Sequence, residues 1–278
     1  MKKILVTGSS GYIGSHLCSL LEDDYEVHGL DIKEPQYNIN KFYKLDITKS
    51  FNIDGIEFDA VVHLAALINV GESQQKPISY YITNLNGTMN VINKIKAKNF
   101  VFASTGTAHG CASAYAISKR AAEDVVRSYA QMAGMDYTTF RFYNVIGSSV
   151  VLPGNPDGLI RKLIEAKNTG TFTIHGDCYG TRDGTCLKDY IHVDEVCHAL
   201  RTAIEKPANK IECLGHGVGY TVKEMVDMFQ KTNNTNFNVV VGPPRDGDEG
   251  VYVLDKISPY MTKLFPINEL LRHKYTYD

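Results

Sequence analysis

The chain has 278 residues, of which 44% are hydrophobic and 22% charged, and a formal net charge of -2. This is ordinary globular composition, with enough residues for one large domain or two closely joined ones. The charge balance offers no polybasic surface to nucleic acid or an anionic membrane, and no apolar run reaches the ~18 residues that span a bilayer. Lys2 and Lys3 imitate the start of a signal peptide, but the apolar run Ile4-Leu5-Val6 is too short to continue one, so a cytoplasmic protein is expected. The six cysteines form neither C-x-x-C nor a zinc spacing, so reduced thiols and no metal site are expected.

Lys3-Ile4-Leu5-Val6-Thr7 reads as a strand, followed at once by Gly8-Ser9-Ser10-Gly11-Tyr12-Ile13-Gly14 and an amphipathic run through Leu21. Strand, glycine turn and helix in this order form a dinucleotide cradle. Gly8 permits the turn, Gly11 admits a pyrophosphate to the backbone, and Gly14 lets helix and strand pack closely. A second strand, Glu26 to Leu30, ends at Asp31. An acid there accepts both adenosine-ribose hydroxyls and repels a 2′-phosphate, which favours NAD over NADP. Phe42 to Leu45 is a strand ending at Asp46-Ile47, and Ala60 to Leu64 is another ending at Ala65-Ala66, where small side chains leave room for a dinucleotide.

The pattern predicts one long helix over 77–98, carrying Asn84 and Thr88 on one face. Asn99 to Ala103 is a strand ending at Ser104-Thr105, which puts hydroxyls at the sheet's carboxyl edge. A helix then runs to about Gly134, and Thr138 to Phe142 is the next strand. Tyr115 and Lys119 are four apart on that helix, hence on one face about one turn apart. A cation there is expected to lower the phenol pKa and make Tyr115 a general base. Alternation of strands and helices predicts an α/β fold, a doubly wound (Rossmann) mostly parallel sheet. The turn-rich segment 153–158 suggests a division into a 1–150 cofactor domain and a smaller 151–278 α/β substrate domain, with interleaving allowed.

These motifs resemble the extended short-chain dehydrogenase/reductase superfamily, and within it the nucleotide-sugar 4-epimerases. The resemblance rests on the glycine turn, His63-Leu64-Ala65-Ala66, Val70-Gly71-Glu72-Ser73 with Lys76-Pro77, and Asn84-Leu85-Asn86-Gly87-Thr88. Tyr115-x-x-x-Lys119, Arg141-Phe142-Tyr143-Asn144, the run Asp183 to Val193 and Arg245-Asp246-Gly247-Asp248 complete it. It implies that Tyr115 is the acid/base, that Lys119 holds the nicotinamide ribose, and that Thr105 bonds the reacting hydroxyl. Tyr12, Ile13, Asp31, Asp46, Ile47, Leu64, Ala65, Ala66, Asn84 and Tyr143 then fall on NAD-contact positions. Asn144, Arg245 and Asp248 fall on UDP-contact positions, with Lys188 where the family usually has an arginine. Tyr252 falls where a bulky side chain restricts the sugar pocket.

The activity so implied is interconversion of UDP-galactose and UDP-glucose through a 4-keto sugar, with tightly bound NAD. A homodimer through helices 77–98 and 115–134 is implied as well. Related dehydratases carry an Asp-Glu pair after the strand-end Thr, and decarboxylases a Glu. Here Gly106-Thr107 follows, and without a carboxylate dehydration lacks its acid and base. The family's Asn at the position of Gly158 is absent, and the loop from Gly110 to Tyr115 is unusually short. Two other readings stay open. One is an epimerase or net oxidoreductase for another UDP-sugar, such as UDP-N-acetylglucosamine, which a sugar assay separates. The other is an NAD-binding sensor without chemistry, which has no need of Thr105, Tyr115 and Lys119 together.

Overall fold

The computed structural model describes residues 1–53, 55–147, 158–245, 250–262 and 264–271. Four of the five residues in the first strand, Lys3–Thr7, are buried. A strand apolar on both faces needs cover on both, which is the situation of a central parallel strand. It pairs in parallel with Glu26–Asp31 on one side and Ala60–His63 on the other. The full sheet has seven strands in the order 210–214, 136–142, 99–105, 60–63, 3–7, 26–31, 41–44. The chain winds outward from the centre in one direction and then in the other. The switch lies between 3–7 and 60–63, and in such sheets ligands bind outside the carboxyl ends of the strands at that point. Thr7 is level with Leu30 and His63, so the turns after the three central strands emerge together.

The helix Ala114–Ala133 begins at Ser113, whose side chain accepts the Ala116 N–H, and ends at Gly134 in the left-handed region (φ 63°). Such an N-cap contributes about 1 kcal/mol. Its buried face includes Ala116, Lys119, Glu123, Val126 and Ala130, at helical spacing. Two of these are ionisable, and both bear on the site described below.

The helix expected over 77–98 forms over 77–94, with a π segment inside it. Pro77–Tyr80 is α-helical, Tyr81–Asn86 is a π turn, and Gly87–Lys94 is α-helical again. Ile95 turns extended, and Lys96–Ala97 pairs with Glu57–Phe58. The π turn contains Asn84, which is fully buried. Turns of this kind cluster at functional sites.

The chain forms two units. The first comprises 1–142 and 197–213, the second 143–196 and 214–278, so the chain passes between them three times. In the second unit, Thr171–His175 pairs in parallel with Asn238–Gly242. Leu187–His192 lies antiparallel to Gly219–Thr221 and parallel to Val251–Tyr252 and Asn144–Ile146. Its core gathers Phe172, Met225, Phe229 and Phe237 with Ile160 and Leu163. Thr221 and Glu224 form a capping box that starts helix Val222–Thr232. Most of the turn-rich segment 153–158, and Asp248, lie outside the described residues.

Candidate active site

The glycine turn is built as a cradle. Gly8 has φ 72°, and a Cβ there would lie 2.7 Å from the Ala65 nitrogen. A Cβ on Gly14 would lie 2.1 Å from the Gly8 carbonyl oxygen and 2.8 Å from Ser9 Cα. At Gly11 the nearest atom would be the Gly8 oxygen, at 3.1 Å. Gly8 and Gly14 are thus filled by protein backbone. Gly11 is the N-cap of helix Tyr12–Leu21 and brings no side-chain hydrogen bond to that end. First-turn N–H groups have no intrahelical acceptor, and with the dipole they favour an anion. Asp31 closes the far side: its Oδ2 accepts the Ser10 N–H at 3.1 Å and its Oδ1 the Lys33 N–H at 3.0 Å. This arrangement fits a dinucleotide, with the pyrophosphate on the turn and a ribose at Asp31.

The two small residues expected at the cradle's edge, Ala65 and Ala66, follow strand Ala60–His63 directly. The Leu64 N–H donates to the Thr7 carbonyl at 3.1 Å, and the Ala65 N–H to Thr7 Oγ1 at 3.3 Å. Thr7 Oγ1 also meets His63 Nδ1 at 2.6 Å, and His63 Nε2 meets Thr88 Oγ1 at 2.9 Å. Burial drives His63 down to about 3, so the ring is neutral and serves as a bridge. From there the chain of contacts passes through the Asn84 carbonyl, which accepts from Thr88 Oγ1 at 2.7 Å. Asn84 Nδ2 donates to the Leu67 carbonyl and to Ser118 Oγ, both at 3.0 Å, and Oδ1 accepts the Leu67 N–H at 2.8 Å. A hydrogen-bonded line thus joins the glycine turn to the residue before Lys119. Both N–H donors of Asn84 are spent on protein groups, so it positions this region more than it reaches outward.

Thr105, Tyr115 and Lys119 come together. Thr105 is 7% exposed and ends strand Asn99–Thr105. Its hydroxyl acts on the Tyr115 phenol, lowering its pKa. It also lies 3.0 Å from Thr107 Oγ1. Lys119 is 3% exposed, with Nζ 4.3 Å from the centroid of the Phe102 ring. The expected electrostatics are corrected here. Burial pushes the Tyr115 phenol up to about 12, opposed by the Thr105 hydroxyl. Burial also drives Lys119 down to about 7, opposed by Glu123. Lys119 is no cause of a lowered phenol pKa, because the same burial that isolates Tyr115 weakens the cation. The protein by itself holds Tyr115 protonated at neutral pH.

The remaining expected residues divide between the units. Asp46 Oδ1 accepts the Thr48 N–H at 2.8 Å and the Thr48 hydroxyl at 2.7 Å, which keeps this carboxyl below its ordinary value. Ile47 is buried, and its Cδ1 lies where a Gly87 Cβ would be only 2.7 Å away. Tyr12 sets its ring edge-on to His16 at 5.4 Å, and the Ile13 carbonyl accepts from Cys197 Sγ at 3.8 Å. In the second unit, Tyr143 stacks on Tyr252 with centroids 4.4 Å apart and planes at 19°. Lys188 is level with both Tyr220 and Tyr252. Asn144 Nδ2 donates to the Asp189 carbonyl at 2.8 Å. Arg245 is exposed.

Three features were not read from the sequence. His63 was noted only as part of a motif. Glu123 extends the Tyr115/Lys119 series by one more turn, and that spacing could have revealed it. Asp189, fully buried, accepts the N–H groups of His216 and Gly217 at 2.8 Å and of Leu254 at 3.3 Å, tying strand Leu187–His192 to the loop before Gly219–Thr221 and the segment after Val251–Tyr252. Nothing local marks such a carboxylate.

A family model described as "NAD dependent epimerase/dehydratase family" matches residues 4–213. The chain belongs to the NAD dependent epimerase/dehydratase family. Among the relatives of this family member is the UDP-glucose 4-epimerase of Haemophilus influenzae, 32% identical over 293 residues, covering 88% of this chain and 87% of the relative. The UDP-glucose-4-epimerase of Stenotrophomonas maltophila, solved with bound NAD and formylated UDP-arabinopyranose, superposes with a TM-score of 0.85. It is 25% identical, with 98% of this chain and 96% of that one covered. The UDP-Glc/GlcNAc 4-epimerase of Campylobacter jejuni gives a TM-score of 0.79 at 27% identity, with 98% of each chain covered.

Proposed function

We propose that this family member interconverts UDP-galactose and UDP-glucose, with Tyr115 as acid/base. The observation that carries the reading is a buried Tyr115 phenol under the influence of the strand-end Thr105 hydroxyl and one helical turn from a buried Lys119, at the carboxyl end of the sheet. The relatives named above are 4-epimerases of UDP-sugars, and Gly106-Thr107 supplies no carboxylate for dehydration. Gly8, Gly11, Gly14, Tyr12, Ile13 and Asp31 hold NAD, and Lys119 holds its nicotinamide ribose. When bound, NAD supplies a hydride acceptor and, in its oxidised form, a positively charged ring.

In the phenolate form, favoured by the positive charge of bound NAD, Tyr115 takes the proton of the sugar's 4-hydroxyl, with Thr105 hydrogen-bonded to the same oxygen. C4 becomes a carbonyl. The sugar turns about its link to the diphosphate and offers its other face. C4 regains its hydrogen there, and Tyr115 returns the proton to give the epimeric alcohol. Asn144, Lys188 and Arg245 anchor the uridine diphosphate through the turn, so binding energy remote from C4 keeps the ketone from escaping. Lys188 keeps the charge of the usual arginine but gives up its two-pronged fork.

The protein acts as a homodimer in the cytoplasm. Ile78, Ile82 and Met89 are 66%, 44% and 40% exposed along residues 77–94, and Ile117 is 42% exposed on helix Ala114–Ala133. An apolar stripe of this kind calls for a helical partner. Light scattering tests this: a monomer mass would refute it.

The test of function is chromatography of UDP-galactose and UDP-N-acetylgalactosamine after incubation with the NAD-loaded protein. Conversion of UDP-galactose is expected, and failure to convert either sugar sinks the reading. Conversion of both sugars would instead match the UDP-Glc/GlcNAc 4-epimerase of Campylobacter jejuni. Tyr252, stacked on Tyr143, favours the smaller sugars.

A further inference from the structure

Glu123 lies one turn past Lys119 on the same helix, and its carboxylate is fully buried. Three donors converge on it. Ser104 Oγ and Arg141 Nε reach Oε1 at 2.5 Å and 2.8 Å, and Arg141 Nη2 reaches Oε2 at 2.6 Å. Ser104 and Arg141 are level with each other on adjacent parallel strands. Ser104 precedes Thr105. One carboxylate therefore pins the helix that bears Tyr115 and Lys119 to the strand end that bears Thr105. A buried ion pair seldom stabilises a fold more than apolar residues of the same volume would. Its effect is to be sought in its neighbours.

We propose that Glu123 is a positioning residue of the reaction: it fixes Lys119 and Tyr115 against Thr105, and its negative charge holds the buried Lys119 ammonium in the charged form. For turnover this rests on the 4-epimerase reading; for Lys119 it does not. The groups around Lys119 leave the task to Glu123. Phe102 presents a ring face at 4.3 Å. His63, which feels the Lys119 charge from strand Ala60–His63, is held neutral by burial. Tyr115 is a phenol, and Tyr80 meets it edge-on at 6.4 Å. Arg141 turns its guanidinium to Glu123 and to His109, 3.0 Å away. Burial opposes the charge on Lys119, and Glu123 alone among these groups supports it.

The experiment follows the pH titration of the Lys119 side-chain 13Cε resonance, assigned as the signal missing from Lys119→Arg. In Glu123→Gln the midpoint is expected to fall by about one pH unit, the scale on which a neighbouring opposite charge acts. The alkaline limb of UDP-galactose turnover moves down with it. Glu123→Gln strands the Arg141 cation, so the double variant Glu123→Leu/Arg141→Met is measured beside it. A lowered midpoint in the double variant supports the proposal, even if the single variant does not fold. An unmoved midpoint in the double overturns it, and a shift found only in the single variant does so too, since it would trace to the stranded guanidinium. If the wild-type protein converts no UDP-sugar, the functional reading falls while the lysine titration still decides this proposal.

Discussion

Replacing Gly14 by alanine tests the cofactor cradle. The added Cβ would sit 2.1 Å from the Gly8 carbonyl oxygen, more than an ångström inside ordinary contact, and 2.8 Å from Ser9 Cα. Both obstacles are backbone, so no side chain can swing away. Helix Tyr12–Leu21 has to lift off the turn, at a cost of about 1–3 kcal/mol for overpacking of this kind. The same movement spoils the aim of the first-turn N–H groups. A hydrogen bond to a charged group contributes about 1.5–3 kcal/mol, so losing one lowers NAD affinity about 10- to 100-fold. The control is Gly134→Ala, where φ is 63° but a Cβ would meet nothing within 4 Å. That change costs about 1–2 kcal/mol of backbone strain and leaves the cradle untouched. Calorimetric titration with NAD and thermal melting of both variants separate the effects. If Gly14→Ala binds NAD as tightly as Gly134→Ala, the pyrophosphate does not rest on this turn.

Other predictions concern the reacting groups and their surroundings. Tyr115→Phe abolishes UDP-galactose conversion while NAD stays bound; retained turnover would remove Tyr115 as the base. Burial takes Lys119 from an ordinary 10.5 down to about 7, so above pH 7 the folded protein sheds a proton that the unfolded chain keeps until about 10.5. The NAD-free protein therefore gains stability from this group as pH rises through that window, and denaturant melts of Lys119→Met should lack the gain. Arg141→Met alone leaves Glu123 buried without its partner and costs about 3–5 kcal/mol by urea unfolding, whereas Glu123→Leu/Arg141→Met costs far less. Equal losses would show that the pair is not coupled.

Much of the sheet was legible because its strands are buried apolar runs stopped by Gly, Asp or small residues. Ile4 to Val6, Ala60 to Val62 and Phe100 to Ala103 are of this kind. Strand Lys210–Leu214 was not, since Lys210 and Glu212 interrupt its apolar residues, and its place at the sheet edge depends on a chain return from far away. The π turn escaped for another reason. A 3.6-residue pattern runs through Tyr81–Asn86 unbroken, and the extra width there depends on Asn84 bonding Leu67 and Ser118 from another part of the fold. At the site, spacing placed Tyr115 beside Lys119. It carried no information about burial, and burial decides the charge of both. Thr105 was legible as a hydroxyl at a strand end. Glu123 was missed because its partners, Ser104 and Arg141, are assembled only by the pairing of two strands.

The central claim is a proton and a hydrogen leaving and returning at C4 of one sugar. UDP-galactose carrying deuterium at C4 tests it directly, with the product followed by NMR and mass spectrometry. UDP-glucose that keeps the deuterium at C4, formed with no net reduction of NAD, is the predicted result. Loss of the label to water, reduced cofactor accumulating in step with product, or no UDP-glucose at all would contradict it.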